Sequence, residues 1–203
     1  MRKTIESERT IRTIASRQQG YFTARQACEA GYSYATQHYQ ATSGNWIREE
    51  RGIYRLADYA TADRPDLVLW SLWSSDRKGK PQGVFSHETA LSIHELSDVM
   101  PASLHMTVPL SFRRSARIPA VLVIHRTTLA SADIQVMEGY GVTRPLRTII
   151  DVAAAATISS DLLEQAIRQA LQRGLVQWDD LTRAAKLNLS SPFAEIIRDI
   201  LPR

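Results

Sequence analysis

Thr23-Ala24-Arg25-Gln26-Ala27-Cys28-Glu29-Ala30-Gly31-Tyr32-Ser33-Tyr34-Ala35-Thr36-Gln37-His38-Tyr39-Gln40-Ala41-Thr42-Ser43-Gly44 packs two helix starts and two helix stops into one short run. Thr23 with Gln26 three residues later is a capping box, in which the hydroxyl bonds the amide of residue 26 while the glutamine side chain reaches back. Phe22 just outside and Ala27 inside stand at staple positions. Gly31 stops this helix early, because glycine tolerates the positive φ of a helix end. Ser33 then caps a further helix from Tyr34 to about Thr42, closed by Gly44. Two short helices around a glycine-containing turn are the signature of a helix-turn-helix.

The flanks sharpen this reading. Upstream, Ile11, Ile14, Ala15 and Gln18 fall near one face of a helix from about Glu6 to Gln18, ended by Gly20-Tyr21. Downstream, Trp46-Ile47-Arg48 and Ile53-Tyr54-Arg55-Leu56 alternate like strands, with Gly52 at the turn between them. A hairpin directly after the second helix of the pair is a wing, so residues 1–60 are predicted to form a winged helix-turn-helix DNA-binding domain. The same helices and hairpin also occur as a plain packing unit.

Ala60-Thr61-Ala62-Asp63-Arg64-Pro65 reads as a joint. Beyond it, residues 66–203 are predicted to form a second, mixed α+β domain ending in a helical cluster. Helices are expected over Asp66–Trp73 and, capped by Ser86, from His87 to about Glu95. Strands are expected at His105–Val108, Ala120–His125 and Ile134–Glu138 and near Tyr140–Val142. Four helices close the chain, at about Pro145–Ala155, Asp161–Gln172, Asp179–Lys186 and Pro192–Ile200, the last following Ser191.

Composition is that of an ordinary globular chain, 203 residues with 44% hydrophobic and 23% charged. No apolar run reaches the roughly 20 residues of a membrane span. The N-terminus lacks a secretory pattern, and Cys28, the single cysteine, has no internal disulfide partner, so a reducing cytoplasm is expected. The formal net charge is +4, and residues 1–60 hold nine bases against six acids. That is compatible with a polyanionic partner or with a solvated surface.

At 100° per residue, Ala35, His38, Tyr39 and Thr42 share one arc of the third helix and are expected to face the core. Ser33, Thr36, Gln37 and Gln40 are then expected to face outward, with Tyr34 on the flank. Glutamine can bond adenine bidentately, and hydroxyls can meet phosphates or base edges. Arg48, Arg51 and Arg55 on the wing and Arg9 and Arg12 on the first helix are candidate phosphate clamps, which position a protein without choosing sequence. Glu49 and Glu50 are expected to face away from DNA. A polar solvent face is the competing reading of the same helix.

Enzymatic motifs are weak. His87-Glu88-Thr89-Ala90-Leu91 begins like H-E-x-x-H, but Leu91 replaces the second histidine, and His94 lies about 10 Å further along a helix rising 1.5 Å per residue. Lys78-Gly79-Lys80-Pro81 lacks the rest of a phosphate loop. Cys28 is read as a small filler of the helix-turn-helix core. Asp133, Glu138 and Asp151 are the acids a metal-dependent nucleic-acid-processing enzyme would use, but Asp151 is expected to pair with an arginine or cap local backbone. Arg113-Arg114-Ser115-Ala116-Arg117 is read as an exposed basic loop. No cofactor, metal ligand or catalytic residue is assigned.

Several segments, in order, resemble the AbiEi family of antitoxins of type IV toxin–antitoxin (abortive infection) systems. They are Gly20-Tyr21-Phe22-Thr23 through Gln26-Ala27, Ala30-Gly31-Tyr32-Ser33, Gly44-Asn45-Trp46 and Arg51-Gly52-Ile53-Tyr54-Arg55-Leu56. The second region adds Ser86–Leu91, Thr107-Val108-Pro109, Val142–Asp151, Gln165-Ala166 and Arg173-Gly174-Leu175-Val176. The resemblance implies a winged helix that represses its own operon at promoter inverted repeats. It also implies a C-terminal domain that counters a co-encoded nucleotidyltransferase-like toxin without requiring direct contact. A stand-alone regulator without a toxin is the alternative within the same class.

Overall fold

The structure, a computed structural model, describes residues 2–60, 63–115, 117–187 and 192–200. Part of the expected joint (residues 61 and 62) and Ser191 lie outside the described residues. The chain is mixed α+β and divides into two compact units: Met1–Gly83 with Val136–Gly141, and Val84–Gln135 with Val142–Arg203.

The first unit begins with α1 (Arg2–Ser16), followed by β1 (Tyr21–Thr23), α2 (Ala24–Glu29), α3 (Tyr34–Thr42), β2 (Trp46–Glu50), β3 (Ile53–Leu56) and α4 (Pro65–Trp73). β1 was not anticipated. It pairs antiparallel with β3, Phe22 opposite Tyr54, and makes a three-stranded sheet in the order β1-β3-β2. Three residues are too few to show an alternation, so only the partner strand reveals it. The capping box forms as expected: Gln26 N donates to Thr23 Oγ1 at 3.2 Å and Thr23 N to Gln26 Oε1 at 2.8 Å.

Ile11, Ala15, Phe22, Ala27, Ala30, Tyr32, Trp46 and Leu56 make the core of this unit. Trp46 is its hub, with Phe22 at 4.7 Å and Tyr32 at 4.9 Å between ring centroids, both edge-on. Such edge contacts suit the aromatic quadrupole and tie the base of the hairpin to the helix pair. Gly31 has φ +98°, and a Cβ there would lie 2.7 Å from Ser7 Oγ, so the α2–α3 turn demands glycine twice over.

The second unit contains β4 (Val84–Phe85), α5 (His87–His94), β5 (Leu104–Val108), β6 (Leu122–Arg126) and all but the end residues Val136 and Gly141 of β7 (Ile134–Val136) and β8 (Gly141–Thr143). It continues with α6 (Pro145–Ala155), α7 (Ser160–Gln172), α8 (Trp178–Leu187) and α9 (Pro192–Ile200). Its sheet runs β6-β5-β4-β8-β7. β5 and β6 are parallel, with Thr107 opposite His125. β4 pairs antiparallel with β5. Leu91, Ile149, Val152, Leu163, Ile167, Leu181 and Ile197 knit α5 to the four closing helices in one apolar cluster. Ser86 stands at the start of α5 yet makes no side-chain cap, because its hydroxyl is engaged elsewhere.

Candidate nucleic-acid interface

α3 is turned differently from the expected arc. Gln37 is only 1% exposed. Its Nε2 donates to the carbonyls of Ala24 and Tyr32, both at 3.0 Å, and reaches Cys28 Sγ at 3.1 Å. The amide therefore pins α3 to α2 and to the turn between them. Gln40 is half-buried, with Oε1 accepting from Asn45 Nδ2 at 2.8 Å. Ala35, His38, Tyr39 and Thr42, expected inside, are all exposed, Tyr39 at 64%. The physical reason is local. α3 carries no strongly apolar face, so periodicity has little to act on, and hydrogen bonding of a buried amide outweighs the burial of Tyr39. Cys28, expected in the core, is likewise exposed.

Ser33 and Thr36 stay outside, but their hydroxyls serve the helix end. Ser33 Oγ accepts from Thr36 N at 3.2 Å and lies 2.9 Å from Thr36 Oγ1. The outer surface of α3 is thus Tyr34, which is 74% exposed, with Ala35, Thr36, His38 and Tyr39. The N-terminal amides at Ser33–Thr36 add the partial positive charge that favours a phosphate.

The cationic candidates fall into two groups. Arg55 Nε donates to Glu49 Oε1 at 2.8 Å with both side chains largely covered, so that guanidinium is held inside the wing. Arg12 bridges Glu8 at 3.2 Å and Asp58 at 2.8 Å. Its hydrogen bond to Asp58 raises the Arg12 pKa further and holds the Asp58 carboxyl below its ordinary range. Arg9, Arg48 and Arg51 are exposed and make no ion pair among the described residues. Arg51 sits at the wing tip beside Gly52, whose φ of +77° makes the turn. Glu50 Oε2 accepts from the Arg51 amide at 3.1 Å, folding that acid back onto the turn.

Two of the three candidate catalytic acids, Asp133 and Asp151, share a cation, whereas Glu138 belongs to the Val136–Gly141 segment of the first unit. Arg147 Nε donates to Asp151 Oδ1 at 2.8 Å and Arg147 Nη1 lies 3.5 Å from Asp133. Burial pushes the Asp151 carboxyl up against the opposing pull of Arg147. In the basic loop, Arg113 Nη1 is turned back onto the carbonyls of Leu110 and Phe112.

A feature that sequence reasoning missed lies on the sheet of the second unit. His87 begins α5, His105 lies on β5 and His125 on β6, and one ring nitrogen from each lies within 4.8 Å of the other two. The His87 and His125 rings stack at 3.6 Å between centroids, and His125 Nε2 is 3.2 Å from His105 Nδ1. Burial lowers the pKa of all three, that of His87 to about 3, with each neighbouring imidazole adding to the effect on His87. His94, once considered as a partner for His87, instead donates from Nε2 to the Thr143 carbonyl at 2.7 Å.

Residues 9–57 match the AbiEi_4 family, described as transcriptional regulator, AbiEi antitoxin. The N-terminal unit thus carries an AbiEi-type regulator domain, and the match spans the second half of α1, the helix-turn-helix and the whole wing. The crystal structure of the RV2827C protein from Mycobacterium tuberculosis is similar over 98% of this chain and 83% of that one, with a TM-score of 0.45 and 13% identity. No curated protein matches the chain. Among the described residues no helix is long and apolar enough to cross a membrane.

Proposed function

We propose that this protein is an AbiEi-type antitoxin and autorepressor whose winged helix binds inverted repeats in its own promoter. α3 enters the major groove with Tyr34, Ala35 and His38 toward the bases, while Ser33 and Thr36 keep the helix end ordered against a phosphate. Arg48 and Arg51 on the wing and Arg9 on α1 hold the strands. The observation that carries this reading is the solvent-facing surface of α3 lying within a domain that also bears exposed wing arginines without ion pairs among the described residues. Residues 66–203 supply the antitoxin function against a co-encoded nucleotidyltransferase-like toxin, with no direct contact required.

The test is titration of the full chain against its upstream DNA and a shuffled duplex at several salt concentrations. Binding should weaken steeply with salt, because neutralising phosphates releases counterions. Tyr34→Ala and His38→Ala should narrow the gap between the two duplexes by about 1–3 kcal/mol. Arg48→Ala and Arg51→Ala should weaken both duplexes alike and flatten the salt slope. Equal affinity for both duplexes in the unaltered protein would remove the regulator reading. The antitoxin half is tested by co-expression with a neighbouring nucleotidyltransferase, where growth should be restored by the full chain.

A further inference from the structure

We propose that His87, His105 and His125 form a binding site for a divalent transition-metal ion of the Zn2+ class, within the second unit and independent of DNA binding. Three imidazoles from three separate elements converge here, with ligand-capable nitrogens all within 4.8 Å of one another. Parallel pairing of β5 with β6 sets His125 opposite Thr107, two residues from His105, so both histidines lie on one face of the sheet. The 3.2 Å between His125 Nε2 and His105 Nδ1 matches the roughly 3.3 Å edge of a tetrahedron whose bonds are about 2.0–2.1 Å. An ion there takes the place of the single shared proton. The 4.8 Å bound leaves the third nitrogen up to about 1.5 Å to close, and the His87–His125 stack must tilt open so that both lone pairs, which lie in the ring planes, meet at the ion.

The surroundings are those of a metal site more than of a packed core. Ser86 Oγ lies 2.9 Å from His87 Nδ1 and accepts from Thr107 Oγ1 at 2.7 Å. When Nδ1–H donates to that hydroxyl, Nε2 presents its lone pair, the outer-sphere support that ligating histidines usually have. Thr89 Oγ1 accepts from the His105 amide at 2.7 Å and fixes that strand position. Ser86, Thr89 and Thr107 are all buried. His87 also sits at φ +53°, a left-handed conformation that is neither a glycine nor, as at Glu95 and Ala156, a helix C-cap. Unfavourable backbone retained where a side chain is aimed into a cluster is common at ligand sites. Burial favours the neutral form of all three rings, the form that ligates. Half-buried Glu88 is the nearby acid whose field reaches His105 and His125 and can offset the ion's charge. Three protein ligands leave a fourth position for water or an anionic ligand.

The experiment uses the full chain without an affinity tag, stripped with chelator and titrated with Zn2+ by calorimetry and with Co2+ by visible spectroscopy. One equivalent per chain is expected, with the intense bands of a four-coordinate Co2+ site. His105→Ala and His125→Gln should each weaken binding more than tenfold and abolish those bands, whereas His38→Ala and His94→Gln should leave both unchanged. Zn2+ should raise the thermal midpoint of the unaltered protein and of His38→Ala but not of His125→Gln, whose far-UV circular dichroism must remain native. Absence of a stoichiometric ion, or one equivalent bound equally well by His105→Ala and His125→Gln, overturns the assignment and leaves the cluster as stacked packing.

Discussion

Replacing Gln37 by alanine should unfold the regulator domain more readily and leave its choice of DNA sequence untouched. The side chain is 1% exposed, and its Nε2 serves the Ala24 and Tyr32 carbonyls at 3.0 Å each. Stranding the buried Tyr32 carbonyl costs about 1–3 kcal/mol, and the part-buried Ala24 carbonyl, already in the α2 ladder, loses a second hydrogen bond worth about 0.5–1.5 kcal/mol. One favourable term opposes this: Gln37 Oε1 is itself buried without a hydrogen-bond partner, and alanine removes it. Relief of that one group offsets about half the loss, so the net destabilisation is about 1.5 kcal/mol. With a urea dependence of about 1–3 kcal/mol per M, the unfolding midpoint should fall by roughly 1 M. Urea unfolding followed by fluorescence reads it directly, since Trp46 is buried in the adjoining aromatic cluster. Tyr34→Ala and His38→Ala, at exposed positions, should stay within about 0.5 kcal/mol of the unaltered protein. An unchanged midpoint for Gln37→Ala, together with a selective loss of affinity for the upstream sequence, would refute the inward orientation of α3.

Three further outcomes follow from the same physics. Gly31→Ala should cost about 2 kcal/mol by denaturant unfolding, and Ser7→Ala should not rescue it, because the strain at φ +98° persists once the Ser7 Oγ contact is gone. Arg147→Met strands Asp133 and Asp151. Breaking a buried pair costs about 3–5 kcal/mol, but with the Arg147 and Asp133 side chains 24% and 34% exposed the loss should be about 2 kcal/mol at neutral pH. It should shrink at acid pH, because the buried Asp151 carboxyl, already raised, then takes up a proton instead of standing uncompensated. Finally, burial lowers the His94 pKa, so between its folded value and about 6.5 the unfolded chain binds a proton that the folded chain refuses. Stability should therefore decline as pH falls below about 6.5, and His94→Gln, which can still donate to the Thr143 carbonyl, should decline less over that window.

Short-range chemistry was legible from residues alone. The capping box at Thr23 and Gln26, the stop at Gly31, the Ser33 cap and the wing turn at Gly52 each depend on neighbours within a few positions, and each is present. The α+β character was legible for the same reason, through helical and alternating periods longer than one turn. Where an element is short or uniformly polar, that signal vanishes. Tyr21–Thr23 becomes a strand only because Ile53–Arg55 lies beside it, and α3 takes its rotation from a glutamine amide finding carbonyls on α2 and the turn.

The histidine cluster marks the boundary most clearly. His87, His105 and His125 sit in unrelated local patterns, one opening a helix and two within strands. Local propensity, caps and turn residues determined which segments became helix or strand, because those energies act between neighbours along the chain. Which faces met, which charges paired and which three imidazoles converged were decided by tertiary packing, where strand register and buried hydrogen bonds act between residues far apart in sequence.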